Sequence, residues 1–461
     1  MSDSPHLSLA SLKNLIDAGE IDTVLTVFPD HYGRLMGKRI CAQFFLETIQ
    51  AHGIHACDYL LTTDIDMNPV PGFSFANWER GYGDFHGVPD YRTLRRAAWL
   101  PKSALVICDL ENEADHKAIA VSPRAILKNQ VAAASELGFS AKAASELEYF
   151  LFKNSFEEAR DKNYHNLKTF SAYIEDYHML QGTREEVINA PARRLLNQSG
   201  VPVEFSKGEW GPGQHELNIR YCEVLEMADR HTLFKQCLKE IADQHGHSVS
   251  FMAKFAEELA GSSCHMHVSL WNRAGTEARF PGDRSGLGPF SCSDTFRWFL
   301  AGWMKYAPDF MPFFAPTVNS YKRYQAGSWA PTGLAWSYDN RTAGFRVVGN
   351  GPSLRIESRI CGADVNPYLG YAAVLAAGLA GIRQKLEPPA MFQGDVYAAA
   401  DLPQVPTTLA DALERLRKST VARQAFGDTV IDHYLHFYQT EWDAYQRSVS
   451  DWERRRYFEQ I

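Results

Sequence analysis

Acidic, imidazole and guanidinium side chains recur at alternate positions along several strand-like segments. In the segment Ala143–Leu151, Glu146 and Glu148 are two residues apart. Residues with that spacing face the same side of a strand. Two further segments repeat the spacing and a fourth carries carboxylates on either side of a Gly-Pro-Gly turn: His265, His267 and Ser269; Arg355, Glu357 and Arg359; Glu209 and Glu216.

Each segment alone has an ordinary structural interpretation. Alternating glutamates are typical of the solvated face of an antiparallel sheet, and alternating arginine and glutamate suit a cross-strand charge ladder. The paired histidines fit a surface strand, or a buried strand on which their ring nitrogens are hydrogen-bonded. The carboxylates around Gly213 fit a polar loop.

Together the segments indicate a metal site. Five carboxylates and one imidazole would form an oxygen-rich cluster suited to Mg²⁺ or Mn²⁺. So many like charges need cations to offset them in a partly buried site. Nearby arginines match carboxylate and phosphate oxygens, so the combination favours phosphoryl transfer. The sequence has no G-x-x-x-x-G-K-[ST] loop, which argues against a P-loop nucleotide site.

The pattern of strands and helices that must position these acidic and basic side chains predicts an α+β fold. The first 112 residues form short β-rich pieces, and the polar stretch Glu111–Lys117 separates them from the rest. Ser122 and Pro123 mark the start of a helix that runs to Gly138. Strands and helices then alternate to about residue 387, after which the chain is mainly helical.

Composition excludes several classes of protein. The 461 residues are 45% hydrophobic and carry a net charge of −8, which argues against a nucleic-acid partner. No apolar run is long enough for a transmembrane helix, and residues 1–10 show no secretory signal, so no membrane association is expected. The eight cysteines are scattered without a C-x-x-C pair, which is typical of reduced thiols in a cytoplasmic protein.

In these polar segments and their order, the chain resembles the glutamine synthetase family. The resemblance runs from about Ser122 to Pro389 and rests on several motifs in the family's order: Ser145-Glu146-Leu147-Glu148-Tyr149-Phe150, Gly213-Gln214-His215-Glu216, Gly261 to Leu270, Asn319-Ser320-Tyr321-Lys322-Arg323, Asn340-Arg341-Thr342, Arg355-Ile356-Glu357-Ser358-Arg359 and Asn366-Pro367-Tyr368. It implies a small β-grasp domain over residues 1–112. It also implies a catalytic domain over residues 113–461, with an antiparallel sheet curved around the active site and flanked by helices.

The resemblance also implies roles for particular residues. Two or more Mg²⁺ or Mn²⁺ ions per active site would have as ligands Glu148, Glu209 and Glu216 at one position, and Glu146, His265 and Glu357 at the other. The remaining implied roles are ATP binding by Glu204, His267, Ser269 and Arg355; glutamate binding by Gly261, Arg323 and Arg359; and catalysis by Arg341, Arg323 and Arg346, with Arg341 and Arg346 facing the phosphoryl group in transit.

The implied reaction converts the γ-carboxylate of glutamate into γ-glutamyl phosphate at the expense of ATP, after which a nitrogen nucleophile attacks. Cations are needed because a carboxylate and a triphosphate repel each other. The resemblance further implies a homo-oligomer, a dodecamer of two hexameric rings with active sites between subunits.

The chain departs from ammonia-using members at the nitrogen end of the site. Where they carry a glutamate before an Ala-Pro pair, this chain has Trp329, whose aromatic surface suits the carbon part of an amine. Ala260 replaces an asparagine that helps to hold glutamate. The small domain lacks the family's Asp-Gly-Ser-Ser stretch, and Asp64 and Asp66 are the nearest candidates for its aspartate. Tyr397 lies where bacterial members are adenylylated, but its surroundings favour an unmodified surface-loop tyrosine.

Three functions remain open at the level of sequence. The first is a ligase that joins glutamate to an organic amine, with Trp329 in the amine pocket. The second is an ammonia-using glutamine synthetase in which the loop is shifted and another carboxylate serves. The third is a catalytically silent regulator, against which the complete set of metal ligands and arginines argues.

Overall fold

The computed structural model describes residues 6–399 and 401–461 and has an α+β architecture with two sheets. Residues 1–5, with which the predicted first domain begins, and residue 400 lie outside the described part. The predicted fold class is confirmed.

The N-terminal sheet has five strands in the order β2-β1-β5-β4-β3. Its central pair, β1 and β5, is parallel, and its other pairs are antiparallel. The strands are β1 (Thr23–Pro29), β2 (Leu35–Cys41), β3 (Ile54–Cys57), β4 (Asp84–Arg96) and β5 (Ser103–Asn112).

The second sheet has nine strands and carries the polar segments singled out above. Its main path is β12-β13-β14-β11-β6-β8-β7, with β9 and β10 paired to β6. Its pairs are antiparallel except that β12 runs parallel to β13. The strands are β6 (Phe139–Phe152), β7 (Val203–Gly208), β8 (Gln214–Ile219), β9 (Cys222–Glu223), β10 (Ser248–Ser250), β11 (Cys264–Asn272), β12 (Trp336–Tyr338), β13 (Phe345–Val348) and β14 (Arg355–Ser358).

Fourteen α-helices lie within the described residues. A π-helical turn joins α2 to α3. The helices are α1 (Leu9–Asp17), α2 (Ala42–Phe44), α3 (Gln50–His52), α4 (Pro123–Glu136), α5 (Phe156–Asp161), α6 (Met179–Gln198), α7 (Val224–Gln244), α8 (Asp294–Tyr306), α9 (Met311–Phe314), α10 (Pro367–Gln384), α11 (Leu409–Lys418), α12 (Thr420–Phe426), α13 (Asp428–Arg447) and α14 (Asp451–Tyr457).

Helix α10 forms the centre of the helical layer because its sequence is apolar on every side. The Asn366 side chain caps it by accepting from the backbone N–H of Tyr368, and Pro367 occupies the first turn. Its residues are buried from Pro367 to Gly381, as expected for a helix without a polar face. Gly302 of α8 faces Gly381, where a side chain on either would overlap the other backbone.

The two sheets share a core. Buried side chains of the N-terminal sheet, such as Leu25 and Ile107, belong to the same apolar cluster as α10 and the second sheet. The predicted boundary between residues 112 and 113 coincides with the end of β5 and stays a prediction. In the described part of the chain, none of the helices has the length and apolarity needed to cross a membrane.

Candidate active site

Strand register places the first predicted group of metal ligands together. On β11 and β6, His265 lies directly opposite Glu146. His265 Nδ1 is 2.8 Å from Glu146 Oε1 and 3.7 Å from Glu357 Oε1. One donor atom from each of the three side chains lies within 4.8 Å of the others, a spacing that could hold a metal ion. His265 Nε2 lies 2.9 Å from Ser263 Oγ, a contact that fixes the ring orientation.

Glu357 is fully buried and surrounded by positive charge. Arg346 donates to Glu357 Oε2 at 2.9 Å and Arg359 donates to Oε1 at 2.7 Å. Burial alone would raise the pKa of Glu357, but the charges of His267 and Arg359 lower that pKa to about 2. The carboxylate is therefore ionised near neutral pH, as a metal ligand must be.

The second predicted group of metal ligands lies on the same sheet, where Glu148 is two residues beyond Glu146 on β6. Glu148 on β6 is directly opposite Glu216 on β8. Glu209 completes the group. The sequence suggested that Glu209 lies on a strand, but it lies in the loop after β7. Glu148 Oε2 accepts from the backbone N–H of Ser263 at 2.7 Å, and the Lys207 ammonium contacts the Glu209 carboxylate.

The pKa values in this group reflect crowded like charges. Burial and the negative charge of Glu209 raise the pKa of Glu148 to about 8. Burial and the charge of Glu146 raise the pKa of Glu216 well above its usual range. Such carboxylates need protons or cations to neutralise them. Three carboxylate donors suit a hard divalent ion, so the side chains present fit Mg²⁺ or Mn²⁺.

Both groups open into one cavity of about 370 Å³. Its walls combine acidic side chains with four arginines and several aromatic rings, a combination that can bind an anionic ligand through metal ions and guanidinium groups. The predicted glutamate-binding and catalytic residues that line it are Gly261, Arg323, Arg341, Arg346 and Arg359.

Gly261 is required by the close approach of Arg323. A methyl group at position 261 would lie 2.4 Å from Arg323 Cγ and 2.7 Å from the carbonyl oxygen of Ala253. Arg323 is buried, and its guanidinium donates to the carbonyl oxygens of Arg359 and Ile360. The arginine is therefore held in one position beside the cavity.

We expect Gly261→Ala to displace Arg323 and to raise the KM for glutamate about tenfold, because overpacking costs about 1–3 kcal/mol. The KM for ATP should change little. Steady-state kinetics with each substrate varied in turn measure both values. The matched control is Gly182→Ala, whose methyl group would have its nearest neighbour at 3.7 Å. An unchanged KM for glutamate in Gly261→Ala would contradict the assignment.

None of the four predicted ATP-binding residues lines the cavity, but two of them lie beside the first metal group. Arg355 donates to His267 Nδ1 at 3.3 Å, and His267 Nε2 lies 3.2 Å from Glu146 Oε2, so both adjoin the first metal group. Ser269 follows on β11, where its hydroxyl accepts from the Trp271 indole. Glu204 is exposed on β7 and does not line the cavity. Their roles in ATP binding stay predictions.

Trp329 forms part of an aromatic wall of the cavity. Its ring meets that of Trp210 edge to face, with centroids 5.6 Å apart. Its φ is +62°, a left-handed conformation that is costly for a bulky residue and that concentrates at functional sites. The Tyr397 hydroxyl donates to the carbonyl oxygen of the next residue, Ala330, at 2.9 Å. Tyr397 is half-buried and its side chain contacts this loop, and the expectation that it is unmodified stays a prediction.

Sequence reasoning missed several residues that line the cavity, among them Asp176, Tyr177, Phe205, Lys207 and Trp210. The backbone N–H groups of Asp176 and Tyr177 donate to the carbonyl oxygens of Glu209 and Gly208, so the end of β7 holds their loop. The Lys207 ammonium lies 4.3 Å from the centre of the Tyr177 ring. The only usable signal was Trp210, an aromatic residue beside a predicted ligand.

Asp64 does not line the cavity of its own chain. Its carboxylate accepts from the backbone N–H groups of Asp66 and Asn68 within its own loop. A role in the amine pocket would need a neighbouring subunit and stays a prediction. Ala260, the other departure, does line the cavity.

Comparison with known proteins decides the family. A family model described as glutamine synthetase, catalytic domain, matches residues 120–457. The chain belongs to the glutamine synthetase family.

Relatives of the glutamine synthetase family match nearly the whole chain. The gamma-glutamylethanolamide synthetase GlnA4 of Streptomyces coelicolor is 45% identical, over 99% of this chain and 97% of its own length. The glutamate–isopropylamine ligase of a Pseudomonas species is 33% identical over the full length of both chains. A solved structure of a GmaS/ADP complex has a TM-score of 0.84 and 27% identity, covering 97% of this chain and 99% of that one.

These matches confirm the predicted family and the predicted class of enzyme, an ATP-dependent glutamate–amine ligase. Ligation of an amine is favoured over the ammonia-using alternative, since the relatives above are named for amides or amines. Enzymes of the glutamine synthetase family use ATP and divalent metal ions, and the two acidic groups described above are candidate sites for such ions.

Proposed function

We propose that this chain activates the γ-carboxylate of L-glutamate as γ-glutamyl phosphate, using ATP and Mg²⁺, and couples it to a small organic amine. The products are a γ-glutamylamide, ADP and phosphate. The proposal that the second substrate is an organic amine rests on the aromatic wall formed by Trp210 and Trp329 beside the acidic groups.

Two sets of side chains would hold the divalent ions: Glu148, Glu209 and Glu216; and Glu146, His265 and Glu357. Bound cations at these positions would neutralise phosphate and carboxylate oxygens and so permit their approach. The chain's own contribution is to fix the ligands, through Ser263, which contacts both groups. Mn²⁺ suits the same donors.

The arginines that line the cavity have positions that suit the carboxylates of glutamate and the phosphoryl group of ATP. Arg323 and Arg359 lie on the side of the cavity near Gly261 and would bind the carboxylates of glutamate. Arg341 and Arg346 would stabilise the phosphoryl group as charge develops on its oxygens. Arg346 also pairs with Glu357, which fixes the guanidinium before substrate binds.

The amine end favours a small aliphatic amine. The relatives named above are named for ethanolamide and isopropylamine, both derived from short primary amines. The Trp329 and Trp210 rings would cover the carbon part of such a molecule and exclude water from the reacting nitrogen. Asp176 lines the same cavity, with its Oδ1 4.0 Å from the Lys207 ammonium, and its carboxylate would accept hydrogen bonds from the incoming ammonium group.

We expect Asp176→Asn to raise the KM for the amine roughly tenfold, because a hydrogen bond to a charged group contributes about 1.5 kcal/mol. The KM values for glutamate and ATP should stay within about twofold, since Asp176 belongs to neither predicted set. Initial rates at varied amine concentration test this expectation. Asp283→Asn, at an exposed position, is the control. Equal KM values for the amine in both variants would remove Asp176 from the amine pocket.

Activation of glutamate can be tested apart from the choice of amine. Hydroxylamine is a small nucleophile that captures an acyl phosphate as a hydroxamate. With glutamate, ATP and Mg²⁺ the enzyme should form γ-glutamyl hydroxamate together with an equal amount of phosphate. Omission of ATP should stop the reaction. Phosphate release without hydroxamate would contradict a γ-glutamyl phosphate intermediate.

The assembly and location of the enzyme also remain proposals. A dodecamer of two hexameric rings would bring the Asp64 loop of one subunit to the cavity of the next, which fits its position outside its own cavity. Light scattering of the purified enzyme measures the number of subunits. The eight cysteines are free thiols, which suits the cytoplasm.

A further inference from the structure

A further group of side chains that could hold a metal ion lies at the N-terminal sheet, and none of its members belongs to the candidate active site. Strand register aligns His55 on β3 with His86 on β4, and His86 with Glu111 on β5. Directly opposite residues project from the same face of a sheet. The three side chains therefore form a row across three strands, on the face where His55 is exposed and the other two are half-buried.

A tight turn after β5 adds His116 to this row. The backbone N–H of His116 donates to the carbonyl oxygen of Asn112, and the Asn112 N–H donates to Lys117. His116 has a φ of +52°, so its backbone is left-handed at the point where the chain folds back. The turn places His116 Nδ1 3.9 Å from Glu111 Oε2 and its ring centroid 5.9 Å from that of His86.

The hydrogen bonding of His86 prepares its free nitrogen for a metal. His86 Nε2 lies 2.6 Å from the carbonyl oxygen of His52, which can only accept, so Nε2 carries the proton. His86 Nδ1 then has a lone pair, and it is shielded from solvent without a hydrogen-bond partner. A histidine that donates one N–H to a backbone carbonyl and offers the other nitrogen is the usual arrangement of a metal ligand.

The surrounding charges favour a cation over a simple ion pair. Within residues 6–399 and 401–461, the structure records no lysine or arginine ion pair with Glu111. One donor atom each from His86, Glu111 and His116 lies within 4.8 Å of the others. Rotation of the exposed His116 side chain would reach the separation of about 3.3 Å that tetrahedral zinc ligands require. Neighbouring His55 already pairs with Glu113 at 3.0 Å.

We propose that His86, Glu111 and His116 bind one divalent transition-metal ion, with Zn²⁺ as the best match. Two imidazoles and one carboxylate with water in a fourth position suit zinc, whereas Mg²⁺ prefers oxygen donors. This site, which we call the histidine site, differs in donor chemistry from the carboxylate-rich groups of the active site. An ion there would clamp β4, β5 and the turn after β5 together.

The test measures zinc retained by the assembled enzyme in excess Mg²⁺, which competes for the carboxylate-rich groups. Wild-type enzyme is incubated with Zn²⁺, desalted and analysed by inductively coupled plasma mass spectrometry. We expect His116→Ala and His86→Ala each to retain one zinc ion per subunit fewer than wild type. His165→Ala, an exposed histidine elsewhere, should retain as much as wild type.

A second readout keeps the test independent of catalysis. In excess Mg²⁺, Co²⁺ bound by two imidazoles and a carboxylate adds visible absorption bands, which we expect to be weaker in His116→Ala than in wild type. Because His116 is exposed, its replacement should leave the fold intact, and circular dichroism checks this. Equal zinc retention and equal cobalt spectra in wild type and both histidine-site variants would overturn the proposal.

Discussion

Replacement of Glu357 by alanine is expected to lower kcat/KM by about a thousandfold or more while the oligomer stays assembled, because a catalytic metal ion and its charge supply several kcal/mol. Glu357 touches His265 of the first metal group and both Arg346 and Arg359. Loss of its carboxylate would remove a metal ligand and leave two guanidinium groups without their common partner. Phosphate release with saturating glutamate, ATP and amine measures the effect.

A structural explanation of that loss must be separated from a chemical one. Glu357 is fully buried, so the variant also needs a check of its secondary structure and of its assembly state by light scattering. Glu387→Ala is the matched control, since Glu387 pairs with Arg297 at the surface. Its activity should stay within about twofold of wild type. Near-normal turnover of an assembled Glu357→Ala enzyme would show that the metal group is misplaced.

Replacement of Trp329 by glutamate is expected to lower kcat/KM for the organic amine by about 30- to 100-fold and to raise kcat/KM for ammonium. Trp329 is 45% exposed, so its ring can cover carbon atoms of the amine, and covering two or three of them contributes about 1.6–2.4 kcal/mol; the contact of Trp329 with Trp210 would also be lost. The new carboxylate would be the group that ammonia-using members carry in this loop. Rates with an amine and with ammonium, measured on the same preparation, give the ratio.

The aromatic character of Trp329 can be tested apart from the negative charge that Trp329→Glu introduces. Trp329→Phe keeps an apolar ring beside Trp210 and should lose no more than about fivefold in kcat/KM for the amine. The KM values for glutamate and ATP should not change in either variant. An unchanged ratio of amine to ammonium use in Trp329→Glu would mean that this loop does not select the nitrogen substrate.

Much of the candidate site could be predicted because it lies on strands. The two-residue period of a strand already placed Glu146 and Glu148 on one face, and the same held for His265 and His267. The structure adds the register that sets His265 opposite Glu146 and Glu148 opposite Glu216. Register depends on contacts between segments that are distant in sequence, 119 positions apart for His265 and Glu146 and 68 for Glu148 and Glu216, so the pattern alone could not supply it.

The loops were predicted less well for a physical reason. Asp176 and Tyr177 lie in an irregular segment without periodicity, and hydrogen bonds to the end of β7 bring them to the cavity. Glu209 follows a strand instead of lying on one. The histidine site escaped prediction too, because His86 and His116 are 30 positions apart and meet through a turn with a left-handed residue.

The central claim, that the acceptor is an organic amine, is tested most directly by comparing amines with ammonium in the wild-type enzyme. Phosphate release is measured with glutamate, ATP and Mg²⁺ and varied ethanolamine, isopropylamine or ammonium, and the products are identified by mass spectrometry. We predict that kcat/KM for at least one organic amine exceeds that for ammonium by about tenfold or more, with the matching γ-glutamylamide as product. Turnover with ammonium that equals or exceeds turnover with every amine, with glutamine as the product, would contradict the claim.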